Sequence, residues 1–301
     1  MSGAGSTVVR MTTTARGAAL TWQFGEHSIT ALSDGYFETA MHDVITRIDP
    51  NTAGAAQRAA LRPDPPRISH TMYLLQGPGA PPTLVDAGMG EGRGATMGHL
   101  PASLALAGVA PDEIGRVLLT HLHLDHSAGL IERDGTPRFP QAEVVLHRDE
   151  AAYWLDPARA AAAPEAARDW FDGARAATEP YRDRLRTFTG PEELAPGLVA
   201  EPMPGHTPGH TGYRITTDDL SVLLWGDVVH LPAIQAPHPA AGVVFDVDGE
   251  AAAATRADVL HAAATRDFLV AGGHTEFPGI ARVRRREGEG YEIVPELWVR
   301  H

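Results

Sequence analysis

Residues 119–130 read Leu-Thr-His-Leu-His-Leu-Asp-His-Ser-Ala-Gly-Leu, which places four metal-ligating side chains, His121, His123, Asp125 and His126, within six residues of one another directly after an apolar run. So dense a cluster is hard to explain as packing and easy to explain as chemistry. At strand-like spacing His121 and His123 point to the same side of an extended segment, so both imidazoles can grip one cation. Asp125 and His126 change the direction of presentation and can serve a neighbouring one.

The rest of the composition narrows the options. A chain of 301 residues, 43% hydrophobic and 21% charged, is long enough for a large core in one domain or two. A formal net charge of -13 argues against a nucleic-acid partner, which needs a basic surface. Cysteine is absent, which excludes disulfides, a thiolate nucleophile and a Cys metal ligand. Metal ligation must then come from His, Asp and Glu, donors suited to Zn, Mn, Co or Fe. Residues 1–19 lack the apolar core of an export signal, and no segment approaches the roughly 20 apolar residues that span a bilayer. Residues 1–18 are expected to form a flexible tail, and the protein to be cytoplasmic with no membrane partner.

Periodicity and punctuation predict short strands at 20–24, 28–32, 71–76, 83–86, 117–120, 142–147, 198–203, 212–216, 220–225 and 268–271. A turn is expected at Ser33-Asp34-Gly35, and a helix over 95–107 after the Gly-rich loop 88–94. The segment 149–187 is Ala-rich with Glu and Arg at helical spacing, and Asp248 caps a helix running to about 264. Strands alternating with helices indicate layered α/β architecture.

Ligand-type residues recur where apolar strands end: Asp86, His121 to His126, His206, Asp227 and His274. Loops beyond strand ends form the ligand crevice of α/β folds, so residues distant in sequence can converge there. His206 lies in the Gly/Pro-rich loop Gly205-His-Thr-Pro-Gly-His210 and is favoured as a ligand. His210 is taken as a packing or supporting residue behind it. Asp227 closes Leu224-Trp-Gly-Asp and can bridge two cations through its two oxygens, although an Asp there can equally cap a turn.

The series His121-x-His123-x-Asp125-His126, followed by His206, Asp227 and His274, resembles the metallo-β-lactamase fold superfamily of hydrolases over about residues 28–295. The resemblance implies a four-layer αβ/βα sandwich of two mixed β-sheets flanked by helices, with 19–301 as one domain and 149–187 as a helical insertion beside the pocket. It also implies two divalent metal ions, zinc first and Mn, Co or Fe as alternatives. His121, His123 and His206 would hold one, Asp125, His126 and His274 the other, and Asp227 both; Asp86 would orient a ligand His. True β-lactamases carry Cys where Asp227 stands, so this pattern is closer to lactonases, glyoxalase II and phosphotriesterases. The segments 225–235, 274–279 and Ala31-Leu-Ser-Asp-Gly-Tyr-Phe resemble the branch containing methyl parathion hydrolase and related lactonases. Acyl-homoserine lactonases of the neighbouring branch carry Tyr three residues after the bridging Asp, where this chain has His230.

The expected activity is attack by a metal-bound hydroxide on a lactone, or on an ester or phosphotriester. Asp125 would steer the nucleophile or shuttle its proton, and His230 would donate to the oxyanion or leaving group. A glyoxalase II-like thioester hydrolase is the alternative, disfavoured by the lack of a Lys/Arg cluster near the motif loops. A non-catalytic metal-binding scaffold is the other. Six of the 19 aromatic residues fall between 153 and 188. Of these, Trp154, Trp170 and Phe171 are expected to wall the pocket for a small-molecule substrate, although aromatics at helical spacing also pack helices onto a core. The resemblance further suggests a homodimer. His27, His42, His70, His99, His147, His238 and His261 show no partnered spacing and are read as structural.

Overall fold

Alternation along the central strands shows why the chain folds into layers. Val117 and Leu118, Val144 and Val145, or Leu223 and Leu224 are all buried, yet successive residues enter different apolar clusters. Both faces of each sheet are therefore covered, one by the other sheet and one by helices. The computed structural model describes residues 17–218, 220–266 and 268–296. The tail expected at 1–18 lies outside these except for Gly17 and Ala18.

The first sheet holds seven strands side by side in chain order: Ala19–Phe24, His27–Glu38, Arg67–Gln76, Thr83–Val85, Arg116–Leu118, Glu143–His147 and Leu185–Phe188. The pairing is antiparallel up to Thr83–Val85 and parallel thereafter. The second sheet also runs in chain order: Glu192–Ala195, Leu198–Pro202, Thr211–Thr216, Ser221–Leu224, Leu269–Ala271, Ile280–Arg285 and Tyr291–Pro295. Only Ser221–Leu224 and Leu269–Ala271 pair in parallel there. The core between the sheets includes Ile29, Ala31, Val85, Leu118, Val145, Tyr213, Val222, Leu224 and Ala271. The outer face of the first sheet packs on the helical segment through Trp154, Phe171, Ala174 and Tyr181. The outer face of the second packs on Leu260 and Ala263 of the helix Gly249–Thr265. The result is the expected four-layer αβ/βα sandwich with mixed sheets.

Three local expectations change. Ser33-Asp34-Gly35 is a bulge inside a continuous twelve-residue strand, with the register shifting between Ser33 and Gly35. Gly35 takes φ +108, and a Cβ there would meet the Thr96 carbonyl at 1.9 Å, so the Gly that signalled a turn serves a bulge instead. The helix expected over 95–107 spans only Leu100–Leu106, with Gly98 at φ +79 before it and Pro101 in its first turn. The segment 149–187 is helical only to Arg184; Leu185–Phe188 is an edge strand of the first sheet. Asp248 caps its helix as expected, accepting from the amides of Glu250 and Ala251. Among the described residues no helix is long and apolar enough to cross a membrane.

Candidate metal centre

The residues singled out at strand ends meet at one edge of the sandwich. Asp86 directly follows Thr83–Val85 with φ +62, an uncommon backbone for a residue with a side chain. Its hydrogen bonds hold it there: Oδ1 accepts from the Thr120 amide at 2.8 Å, and Oδ2 from Thr120 Oγ1 and His126 Nδ1 at 2.9 Å each. Asp227 follows Ser221–Leu224 through Gly226 at φ +54, where a Cβ would sit 2.7 Å from His210 Nε2. That space is what lets the Asp227 amide donate to His210 Nε2 at 3.0 Å, while His210 Nδ1 donates to the Met203 carbonyl. Burial pushes His210 down to about 3, so the ring is a neutral brace.

Two groups of donors result, overlapped by a third made of His206, Asp227 and His230. His121, His123 and His206 form the first; Asp125, His126, Asp227 and His274 form the second, within each of which one ligand atom per residue lies within 4.8 Å of the others. Asp227 joins them: Oδ2 is 3.6 Å from His121 Nε2, 3.3 Å from His206 Nε2 and 3.0 Å from His274 Nε2, and Oδ1 is 3.2 Å from His126 Nε2. Asp125 Oδ2 lies 3.4 Å from His126 Nε2 and 3.3 Å from His274 Nε2. Ligands about 2.0–2.1 Å from a tetrahedral zinc stand about 3.3 Å from each other, so these spacings suit coordination. His121 Nε2, His126 Nε2 and Asp227 Oδ1 are buried with no hydrogen-bond partner, as donors reserved for a cation would be.

The far side of most of these rings is fixed. His121 Nδ1 donates to Thr120 Oγ1, itself donating to Asp86. His206 Nδ1 donates to Asp246 Oδ1 at 2.8 Å, and His274 Nδ1 to the Ser69 carbonyl at 2.8 Å. Each bond puts the proton on Nδ1 and turns the Nε2 lone pair inward. His123 reverses this, with Nδ1 3.0 Å from His206 Nε2.

The charge pattern is that of a cation site. Burial opposes ionisation of Asp125 and Asp227, yet the surrounding imidazoles hold both well below the usual carboxylate range. Burial likewise opposes charge on His126 and His274, yet Asp227 and Asp125 lift His126 well above its ordinary value and His274 to about 10. His206 is also raised, by Asp227 and Asp246 against burial. His121 and His123 are pushed well below, by burial and by neighbouring imidazoles. The buried carboxylates thus demand positive charge, and protons on imidazoles are the stand-in for a metal.

A family model described as Metallo-beta-lactamase superfamily matches residues 65–274. The chain belongs to the metallo-β-lactamase superfamily. It is similar to the solved structure of the hydrolase AbOPH in the beta-lactamase superfamily, at 28% identity and a TM-score of 0.88 over 94% of this chain and 99% of that one. A second similar structure is AidC, a dizinc quorum-quenching lactonase in complex with the product N-hexanoyl-L-homoserine, at 23% identity and a TM-score of 0.88 over 95% and 100%. A third is a probable metal-dependent hydrolase from Staphylococcus aureus, at 21% identity and a TM-score of 0.74 over 92% and 100%. No curated protein matches the sequence.

In this member of the superfamily the centre opens into a cavity of about 260 Å³ lined by Phe37, Met89, Met97, Leu124, Trp170 and Phe245, and by His70, His123, Asp125, Asp227, His230 and His274. Among the described residues no Lys or Arg lines it. Of the three aromatics expected on its wall, Trp170 is there, its ring 5.0 Å from that of His123. Trp154 instead packs behind His123 at 5.3 Å, and Phe171 packs on Trp154 at 4.7 Å, because their helices present these faces to the core. His230 lines the cavity, with Nε2 3.1 Å from Asp227 Oδ2 and Nδ1 unpartnered; burial pushes it down to about 4.

Three residues escaped the sequence reading. His70, taken as structural, lines the cavity from mid-strand, 3.7 Å from Asp125 Oδ2. Glu150 is fully buried and ties two ligand loops together, accepting from the amides of Leu122 and Gly209 and from Thr207 Oγ1. Asp246 orients His206, and Arg256 lies 3.8 Å behind it while donating to the carbonyls of Val228, Pro239 and Ala241. Glu150 follows the end of Glu143–His147, so the strand-end rule applied to Glu and Asp alike was the available signal for it.

Proposed function

We propose that this metallo-β-lactamase-fold hydrolase opens a compact, uncharged lactone, with esters and phosphotriesters as the next substrates, using two divalent cations, zinc first. One observation carries the reading: Asp227 lies against both donor groups at the floor of a largely apolar cavity whose wall, among the described residues, has no Lys or Arg. His121, His123 and His206 would hold one cation, Asp125, His126 and His274 the other, and Asp227 both. Bound there, such ions polarise the scissile group and bring the pKa of water near 7.

The chain's own residues supply the rest. Asp86, Thr120, Asp246 and Ser69 fix the imidazole tautomers, so no ring must turn for binding. Asp125, held ionised, accepts the proton of attacking water and returns it to the leaving oxygen. His230 presents an imidazole beside Asp227 from which Nε2–H can shift to the developing oxyanion. Phe37, Trp170, Phe245 and the two methionines exclude bulk water and give an apolar acyl or aryl group its contact surface. AidC, similar in fold, is named as a dizinc lactonase, which agrees with this order of substrates.

A glyoxalase II-like thioester hydrolase would need a Lys or Arg to hold a glutathione carboxylate, and among the described residues none lines the cavity. The test is to strip the protein with chelator, reload it with Zn, Mn or Co, count metal per chain, and assay γ- and δ-lactones, p-nitrophenyl acetate, paraoxon and S-lactoylglutathione. Two ions per chain with lactone turnover as the highest kcat/KM is the expected result. A single ion, or S-lactoylglutathione as the best substrate, would overturn it; turnover by no metal form leaves the non-catalytic scaffold.

A further inference from the structure

A buried histidine that merely packs is satisfied when one ring nitrogen donates and the other accepts, as His210 shows. His210 donates to the Met203 carbonyl and accepts from the Asp227 amide. His70 is equally buried, yet neither of its ring nitrogens has a hydrogen-bond partner. A neutral imidazole always carries one N–H, and a buried donor left unpaired is costly.

The ring cannot relieve this by moving. His70 sits within Arg67–Gln76, paired with Gly35 at the bulge of the neighbouring strand. Its two chain neighbours are bound to the His274 loop, Ser69 through its carbonyl to His274 Nδ1 and Thr71 through its amide to the Gly273 carbonyl at 2.8 Å. Edge contacts with Phe37 at 5.5 Å and His274 at 5.0 Å clamp the ring itself. The nearest carboxylate oxygen, Asp125 Oδ2 at 3.7 Å, is beyond hydrogen-bond reach. What remains open to His70 is the cavity it lines.

Two histidines flank His274: His230, stacked on it at 4.7 Å and beside Asp227, and His70 on the side of Asp125. His230 already serves the reacting end. We propose that His70 is a specificity-determining donor, giving its N–H to an oxygen of the substrate outside the scissile group, such as the amide carbonyl of an acylamino lactone. This rests on the lactonase reading above and adds to it a preference for substrates with a second neutral acceptor. A plain alkyl lactone would fill the same apolar walls and leave the donor unpaired.

The test compares an N-hexanoyl homoserine lactone with γ-decalactone, which lacks the second acceptor, in the zinc-loaded protein and its His70→Phe and His70→Gln variants. The ratio of kcat/KM for the first substrate over the second should fall about tenfold or more in His70→Phe, chiefly through KM, and recover in part in His70→Gln. Calorimetric binding of the corresponding lactam, which cannot be opened, should weaken by a similar factor. Zinc per chain and Tm report whether the variants are intact. An unchanged ratio and unchanged lactam affinity would overturn the proposal, as would equal losses on both substrates. Lactam binding that depends on His70 in a protein that opens neither lactone would sink the reaction reading and leave the His70 assignment standing.

Discussion

The two donor groups differ in chemistry although Asp227 lies against both. The first, His121, His123 and His206, is all imidazole, and Trp154 and Trp170 back it against His123. The second adds Asp125, which is half-buried and faces the cavity. Charge follows this division. In the first group only His206 is raised, whereas both histidines of the second are, so the metal-free second group stores more protons. The difference teaches that one loop motif can feed two sites with different proton demands.

Removing the residue that lies against both is the most severe way to break the comparison. Asp227→Ala should lower kcat/KM by about 10³-fold or more and cut metal per chain in both groups, by elemental analysis. The orienting carboxylates then separate the groups. Asp86 holds His121 through Thr120 and His126 directly, so Asp86→Asn should weaken both metals by about 10–100-fold. Asp246 touches only His206 among the donors, so Asp246→Asn should weaken one metal by a similar factor and spare the other. Equal loss of both ions in the two variants would erase the distinction.

The pH dependence has a definite sign. Raised pKa values at His126, His206 and His274 mean that the metal-free fold gains stability fully present below about pH 6.5 and lost as pH rises toward about 10, the value of His274. Tm of the chelated protein should fall across that window, and the metal-loaded protein should not follow it. A cation competes with those protons, and the histidines of the second group are the more strongly raised, so acidification should release metal from the second group earlier. The smallest effect is at the wall: Trp170→Ala should raise KM for apolar lactones about fivefold, roughly 1 kcal/mol of contact. Phe171→Ala should lower Tm and leave KM near its original value.

Legibility in the sequence followed how local each feature is. The 121–126 motif carries its four donors within six consecutive positions, and the layered fold announces itself in apolar runs that end at Asp or His. His206, Asp227 and His274 stand out as candidate donors because they lie where apolar strands end and follow in the order of a known pattern, and the structure brings them to the same edge. His70 was invisible for a physical reason: its place in the cavity is set by strand pairing and by the bonds of Ser69 and Thr71 to a loop some 200 residues away. The Gly-rich turn signal at Ser33-Asp34-Gly35 misled because a bulge and a turn both need a residue at positive φ.

That bulge has a consequence for how such a protein can change. Asp34 is buried at the kink, and its carboxylate accepts from the amides of Met89 and Leu100, the two ends of the stretch that carries Met89 and Met97 to the cavity. The stretch is therefore stapled at its roots and held once more at Thr96, whose carbonyl accepts from the Tyr36 amide at 2.9 Å. Residues can be inserted or exchanged between the staples, reshaping one side of the binding chamber, while the strand-end histidines and aspartates stay where the two sheets hold them.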